Sequence, residues 1–113
     1  MPFINVKTNQ PISKAQQEAV KSGLGQAITA LPGKSEHWLM VAMEPDAILY
    51  YQGSDAPAAM IQVQICGAVS SPASEKLTAK ICKLIESELN IPQNRIYISY
   101  FGTPDWGWNG NNF

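Results

Sequence analysis

Charge is scarce in this chain. Lys, Arg, Asp and Glu together make up 15% of its 113 residues, where an ordinary soluble domain carries about 25%. The few cations form no basic cluster and the formal net charge is −1, so nucleic acid is not an expected partner. Long hydrophobic runs are missing too. None approaches the ~18–20 residues needed to span a bilayer, and no membrane association is expected. The start of the chain has no basic stretch followed by a hydrophobic one, so no secretory signal is visible and a cytoplasmic location is expected. Histidine is limited to His37 and cysteine to Cys66 and Cys82. With no CxxC and no His/Cys cluster, neither a zinc site nor a redox pair is indicated, and no cofactor is expected.

Apolar residues make up 45% of the chain. With so little charge to cover the surface, self-association is expected. The length suits a single domain over residues 1–113 with a small core. Phe3 to Thr8 reads as a strand, broken by Asn9-Gln10-Pro11. Ser13-Lys14-Ala15-Gln16 has the form of a capping box, after which Val20, Leu24, Ala27, Ile28 and Leu31 recur at helical spacing until Pro32-Gly33. Trp38 to Met43 reads as a buried strand. The pattern then repeats. Ala59 to Cys66 is a strand, Ser71-Pro72 caps and opens a helix, and Leu77, Ile81, Leu84, Ile85 and Leu89 form its apolar stripe. Asn90-Ile91-Pro92 stops that helix, and Arg95 to Tyr100 is the answering strand.

Two β-α-β units imply an α+β fold, one four-stranded sheet with both helices on one face and parallel strands within each unit. The other face, taken here to carry Ile4, Val6, Ile61, Val63, Ile96 and Ile98, has no layer of its own to cover it. That deficit predicts sheet-on-sheet packing in an oligomer.

Met1-Pro2 carries the chemistry. Methionine aminopeptidase removes an initiator Met that precedes a small residue such as proline, which would leave a secondary amine on a rigid ring. An α-amine titrates near ~7.7–8.0, and an apolar pocket lowers that value toward neutrality. Strand residues Phe3-Ile4-Asn5-Val6 would hold the terminus in a sheet. Such an amine can serve as a general base.

Met1-Pro2, Thr8-Asn9, Pro11, Gly33-Lys34, Gly53-Ser54 with Pro57, Arg95-Ile96-Tyr97-Ile98 and the ending Gly107-Trp108-Asn109…Phe113 together resemble the macrophage migration inhibitory factor family of the tautomerase superfamily. The resemblance covers the whole chain. It implies a homotrimeric barrel of three sheets with active sites between subunits. It also implies a keto-enol tautomerase acting on phenylpyruvate-like or dopachrome-like α-keto acids and enols. Pro2 would be the catalytic base, Lys34 would hold a carboxylate or enolate oxygen, and Tyr97 would reach the pocket from a neighbouring subunit. Trp108 and Phe113 would wall the pocket. Ser99 stands where the family usually has asparagine, and Cys66 where it usually has isoleucine, its backbone N–H remaining able to bind substrate. Ser54 is read as structural, and no family role maps onto His37. The positions of the family's CxxC hold Ala58 and Ile61. The alternative reading from another class is a cytokine-like protein, secreted without a signal peptide, whose pocket is vestigial and whose partner is a receptor.

Overall fold

A computed structural model describes residues 1–113. The two strand-helix-strand units form as expected. The first is β1 (Pro2–Thr8), α1 (Lys14–Ala27) and β2 (Met40–Glu44); the second is β3 (Ala59–Cys66), α2 (Ser71–Leu89) and β4 (Ile96–Thr103). One sheet results, in the order β2-β1-β3-β4. Strands within each unit are parallel, and an antiparallel β1–β3 pairing joins the units. A two-stranded ribbon of β5 (Gly107–Trp108) and β6 (Asn111–Asn112) follows. Neither helix is long and apolar enough to cross a membrane.

The helix ends follow local chemistry. At α1 the capping box is complete: Ser13 Oγ accepts from the Gln16 N–H at 3.1 Å, and Gln16 Oε1 accepts from the Ser13 N–H at 2.9 Å. The α-helix stops at Ala27, but a 3-10 turn over Ile28–Ala30 prolongs it, so Ile28 and Leu31 remain buried. The cap of α2 is Ser70, one residue before the expected Ser71, its Oγ accepting from the Ala73 N–H at 3.3 Å. Pro72 still falls in the first turn, where its missing N–H costs nothing. Asn90 ends α2 in the left-handed region at φ 57°.

Two expectations about the sheet need correction. Trp38 to Met43 is not a buried strand. Trp38 lies in a 3-10 turn over Glu36–Trp38, and β2 begins at Met40 as an edge strand with Met40 68% exposed. Met40 pairs with Phe3, so its side chain stands on the face that the helices leave open, which explains the exposure. Second, the proposed bare face is the covered one. Ile4, Val6, Ile61, Val63 and Ile96 are buried in the core with Val20, Leu24, Leu77, Ile81 and Ile85 of the helices, and Ile98 packs against them. Alternation along the strands puts Phe3, Asn5, Gln62, Gln64, Tyr97, Ser99 and Phe101 on the open face. That face is mixed, not apolar. The helices take the more apolar side because burying it removes more apolar area from water.

A close backbone approach closes the β3–β4 end of the sheet. The Gly67 N–H donates to the Thr103 carbonyl at 2.8 Å, and a Cβ on Gly102 would overlap the Gly67 carbonyl oxygen. Backbone cannot swing aside as a side chain does. Gly102→Ala is therefore expected to destabilise the fold by about 1–3 kcal/mol, read as a lower thermal midpoint. An unchanged midpoint would show that the Gly67 loop yields freely.

Candidate active site

The topology gathers distant residues at one end of the sheet. Because β2 runs parallel to β1, the loop entering β2 lies beside the start of β1; because β3 is antiparallel to β1, its last residues lie there too. β4 is parallel to β3, so its end and the following ribbon arrive at the same place. Pro2, Lys34, Cys66, Trp108 and Phe113 thus belong to segments that converge.

Lys34 is aimed by a tight turn. Leu31-Pro32-Gly33-Lys34 closes with the Lys34 N–H donating to the Leu31 carbonyl at 3.1 Å, and Gly33 takes φ 75°. Proline second and glycine third suit a turn whose third residue is left-handed. The Lys34 ammonium then reaches across to donate to the Cys66 carbonyl at 3.1 Å. The Cys66 N–H donates to the Met1 carbonyl at 3.0 Å. Pro2 itself is buried and paired with Ile65. Cys66 therefore links the acyl group on the Pro2 nitrogen to the lysine.

The electrostatics match that contact. Partial burial, followed by the Lys34 cation, pushes the Met1 α-amine below its ordinary pKa. Of the two thiols, Cys66 is partly exposed, while Cys82 is buried in the helix layer, with its pKa raised by desolvation and by Glu86. No three His, Cys, Asp or Glu side chains come together as a metal-ligand set.

Beside this cluster stands an aromatic corner. Trp108 stacks on Phe113 with ring centroids 5.9 Å apart and planes 13° apart, and meets Trp38 edge-on at 5.2 Å. Trp38 in turn meets His37 edge-on at 4.9 Å. All three large rings keep much of their surface exposed. Trp38 was missing from the sequence-based site. Its signal in the sequence is an aromatic four residues beyond Lys34, which shares the apolar pattern of the strand that follows it. The ribbon carrying Trp108 turns at Asn109-Gly110, both at positive φ, the dipeptide a two-residue hairpin prefers.

Tyr97 and Ser99 are not brought to Pro2 within one chain. Pro2 pairs with Ile65, whereas Tyr97 pairs with Met60 and Ser99 with Gln62. Five residues along a strand separate Tyr97 from the Pro2 level by roughly 16 Å. Tyr97 and Ser99 also face the open side of the sheet, away from the helices. Ser54 serves its own loop, its Oγ accepting from the Ala56 N–H at 3.0 Å.

The largest hollow lies elsewhere. It encloses about 560 Å³ between α1 and β2, over Ile12, Leu39, Val41 and Met43. On its rim Lys14 and Lys21 both pair with Glu18, and Glu36 adds a further carboxylate to the lining. A second hollow of about 480 Å³ sits on the open face between Phe3, Met40, Gln64 and Trp106, at the end of the sheet where Pro2 lies.

Comparison with known proteins agrees with the fold. The family model described as macrophage migration inhibitory factor matches residues 1–113. Macrophage migration inhibitory factor of the gerbil Meriones unguiculatus is 30% identical over 100% of this chain and 99% of its own length. The homolog from the whipworm Trichuris trichiura is 30% identical over 100% of both. Among solved structures, Leishmania major MIF2 superposes with a TM-score of 0.94 at 31% identity, covering 100% of this chain and 97% of that one. The chain belongs to the macrophage migration inhibitory factor family.

Proposed function

We propose that the chain, once Met1 is removed, is a keto-enol tautomerase that uses the Pro2 amine as its general base on phenylpyruvate-like or dopachrome-like compounds. The observation that carries this reading is the meeting of the Pro2 segment, Lys34 and Cys66 at one strand end. With Met1 gone, the Cys66 N–H loses the carbonyl it now serves and becomes a free donor next to the Pro2 nitrogen. A substrate oxygen can take the place of the Met1 oxygen.

The steps follow from that arrangement. Neutral Pro2 takes a proton from the carbon beside the substrate carbonyl, and the electron pair moves onto the carbonyl oxygen. The Lys34 ammonium and the Cys66 N–H stabilise the charge that develops there. The prolinium then returns the proton to oxygen, giving the enol; the reverse path gives the ketone. No atom is gained or lost. Burial and the Lys34 cation both favour the neutral amine, the form a base needs. Trp38, Trp108 and Phe113 supply a flat apolar wall suited to an aromatic substituent on the substrate.

Tyr97 and Ser99 serve the site of a neighbouring subunit in a homotrimer. Support for self-association comes from the exposed apolar side chains, not from the core isoleucines: Ile48 is 92% exposed, and Met40, Tyr50, Tyr97 and Phe101 are more than half exposed. Sedimentation equilibrium is expected to give three times 12.3 kDa, and a monomer mass at micromolar concentration would contradict it. Mixing inactive Pro2→Gly subunits with inactive Tyr97→Phe subunits tests the shared site itself. Exchange of subunits should restore turnover, because some sites then combine an intact Pro2 with an intact Tyr97. Tyr97→Phe subunits that keep the parent turnover on their own would place Tyr97 outside the site, and inactive subunits that show no recovery after exchange would contradict a site shared between neighbours.

A further inference from the structure

Within one chain Tyr97 is 59% exposed, so packing inside the subunit does not bury its ring. Its orientation comes from a neighbouring turn. Tyr51 and Ser54 exchange backbone hydrogen bonds at 3.0 and 3.1 Å, with Gln52 at φ 54° and Gly53 at φ 73° between them. Both central residues are left-handed. Glycine adopts this region freely, but glutamine does so only under constraint from its surroundings.

Arg95 supplies the constraint. Its Nε donates to the Pro57 carbonyl at 2.8 Å, and one terminal nitrogen is shared among the carbonyls of Tyr51, Ser54 and Ala56 at 3.1–3.2 Å. The same guanidinium lies 5.1 Å from the centre of the Tyr51 ring. Tyr51 in turn meets Tyr97 edge-to-face, with centroids 4.9 Å apart and planes at 78°. The chain of contacts runs from Arg95 through the strained turn and the Tyr51 ring to Tyr97.

We propose that Tyr51 is a positioning residue that orients the Tyr97 ring and phenol for substrate binding, with Arg95 holding the turn that presents it. This rests on the reading in which Tyr97 binds substrate in a neighbouring subunit's site. A second sign of the contact is that the Tyr51 phenol holds the Tyr97 phenol above its ordinary pKa. Arg95 and Tyr50 are the other charged or titratable groups lining the small hollow between the two tyrosines.

Two variants separate the ring from its hydroxyl. Tyr51→Phe keeps the edge contact and Tyr51→Leu removes it. In processed protein with ¹³C-labelled tyrosine, the Tyr97 resonance, assigned with Tyr97→Phe, is expected to titrate at lower pH in both variants. With phenylpyruvate, Tyr51→Leu is expected to raise KM about two- to tenfold, the size of one aromatic pair, with little change in kcat. Tyr51→Phe should keep KM near the parent value. A Tyr97 titration unchanged in both variants would overturn the proposal, as would a parent-like KM in Tyr51→Leu. If the parent protein itself fails to turn over phenylpyruvate, the tautomerase reading fails instead, and the NMR titration alone decides the role of Tyr51.

Discussion

Protein that keeps Met1 is expected to show no turnover of phenylpyruvate above the uncatalysed rate, while the processed chain is active. In the unprocessed chain the Pro2 nitrogen is an amide, its lone pair delocalised into the Met1 carbonyl, and it cannot accept a proton. The Met1 carbonyl also occupies the Cys66 N–H at 3.0 Å, so the donor proposed for the substrate oxygen is blocked as well. Losing a positioned general base alone is worth about 10²–10⁴-fold. Processed Pro2→Gly is expected to lose most activity and still fold, because a glycine amine is present but lacks the ring that fixes its direction. The check is intact mass on each preparation followed by ultraviolet measurement of enol-phenylpyruvate decay. Equal rates with and without Met1 would remove Pro2 from the mechanism.

Lys34→Ala is expected to slow turnover of carboxylate-bearing substrates by roughly ten- to hundredfold, and of their esters much less. A charge-assisted hydrogen bond from Lys34 is worth about 1.5–3 kcal/mol, which sets that range. Lys34 has no carboxylate partner of its own; its ammonium is satisfied by the Cys66 carbonyl, so it stays available to an incoming anion. The pH profile carries a second sign. Lys34 pushes the Met1 α-amine below its ordinary pKa after the larger effect of burial, and its ammonium, held by the Cys66 carbonyl, stays at the strand end where processing frees the Pro2 amine. Removing the cation is therefore expected to raise the Pro2 pKa in the processed chain, leave more of that amine protonated at a given pH, and move the acid limb of the rate profile to higher pH. An unchanged ester preference together with an unchanged acid limb would make Lys34 a mere helix-end lysine.

Much of the fold was legible because local chemistry and global packing agree. The Ser13–Gln16 capping box and the two apolar helix stripes lie where their spacing says. At α2 the pattern was degenerate: Ser70 and Ser71 both precede Pro72, and proline is tolerated at either of the first two helical positions, so sequence alone does not choose the cap. Strand alternation showed that Ile4, Val6, Ile61 and Val63 share a face, but not which face the helices cover. Gln62 and Gln64 between them marked the open side. Trp38 looks like a strand residue in the sequence because three apolar neighbours look alike in a turn and in a strand. Asn109-Gly110 was a readable hairpin signal, passed over because its flanking strands have only two residues each.

The site was legible in part. Pro2 and Lys34 could be named from the resemblance, yet nothing in their spacing shows that they meet at Cys66. That proximity depends on β1 pairing parallel to β2 and antiparallel to β3, a tertiary fact. The Asn9 network was equally hidden: its side-chain nitrogen reaches the carbonyls of Leu49, Asp55 and Ala56, and its oxygen accepts from Ala58. Together with Arg95 it pins the loop that carries Tyr51. A Thr8-Asn9 pair after a strand reads as an ordinary strand end until the loop some forty residues later folds onto it.

The central claim is that the Pro2 amine is neutral at working pH and acts as the base. ¹⁵N NMR titration of specifically labelled Pro2 in the processed protein, run beside the pH dependence of kcat/KM for phenylpyruvate, tests it directly. The Pro2 pKa is expected below the ordinary α-amine range of about 7.7–8.0, coinciding with the acid limb of the rate profile. A Pro2 nitrogen that titrates at or above that range, or an acid limb that does not follow it, would rule out Pro2 as the neutral base.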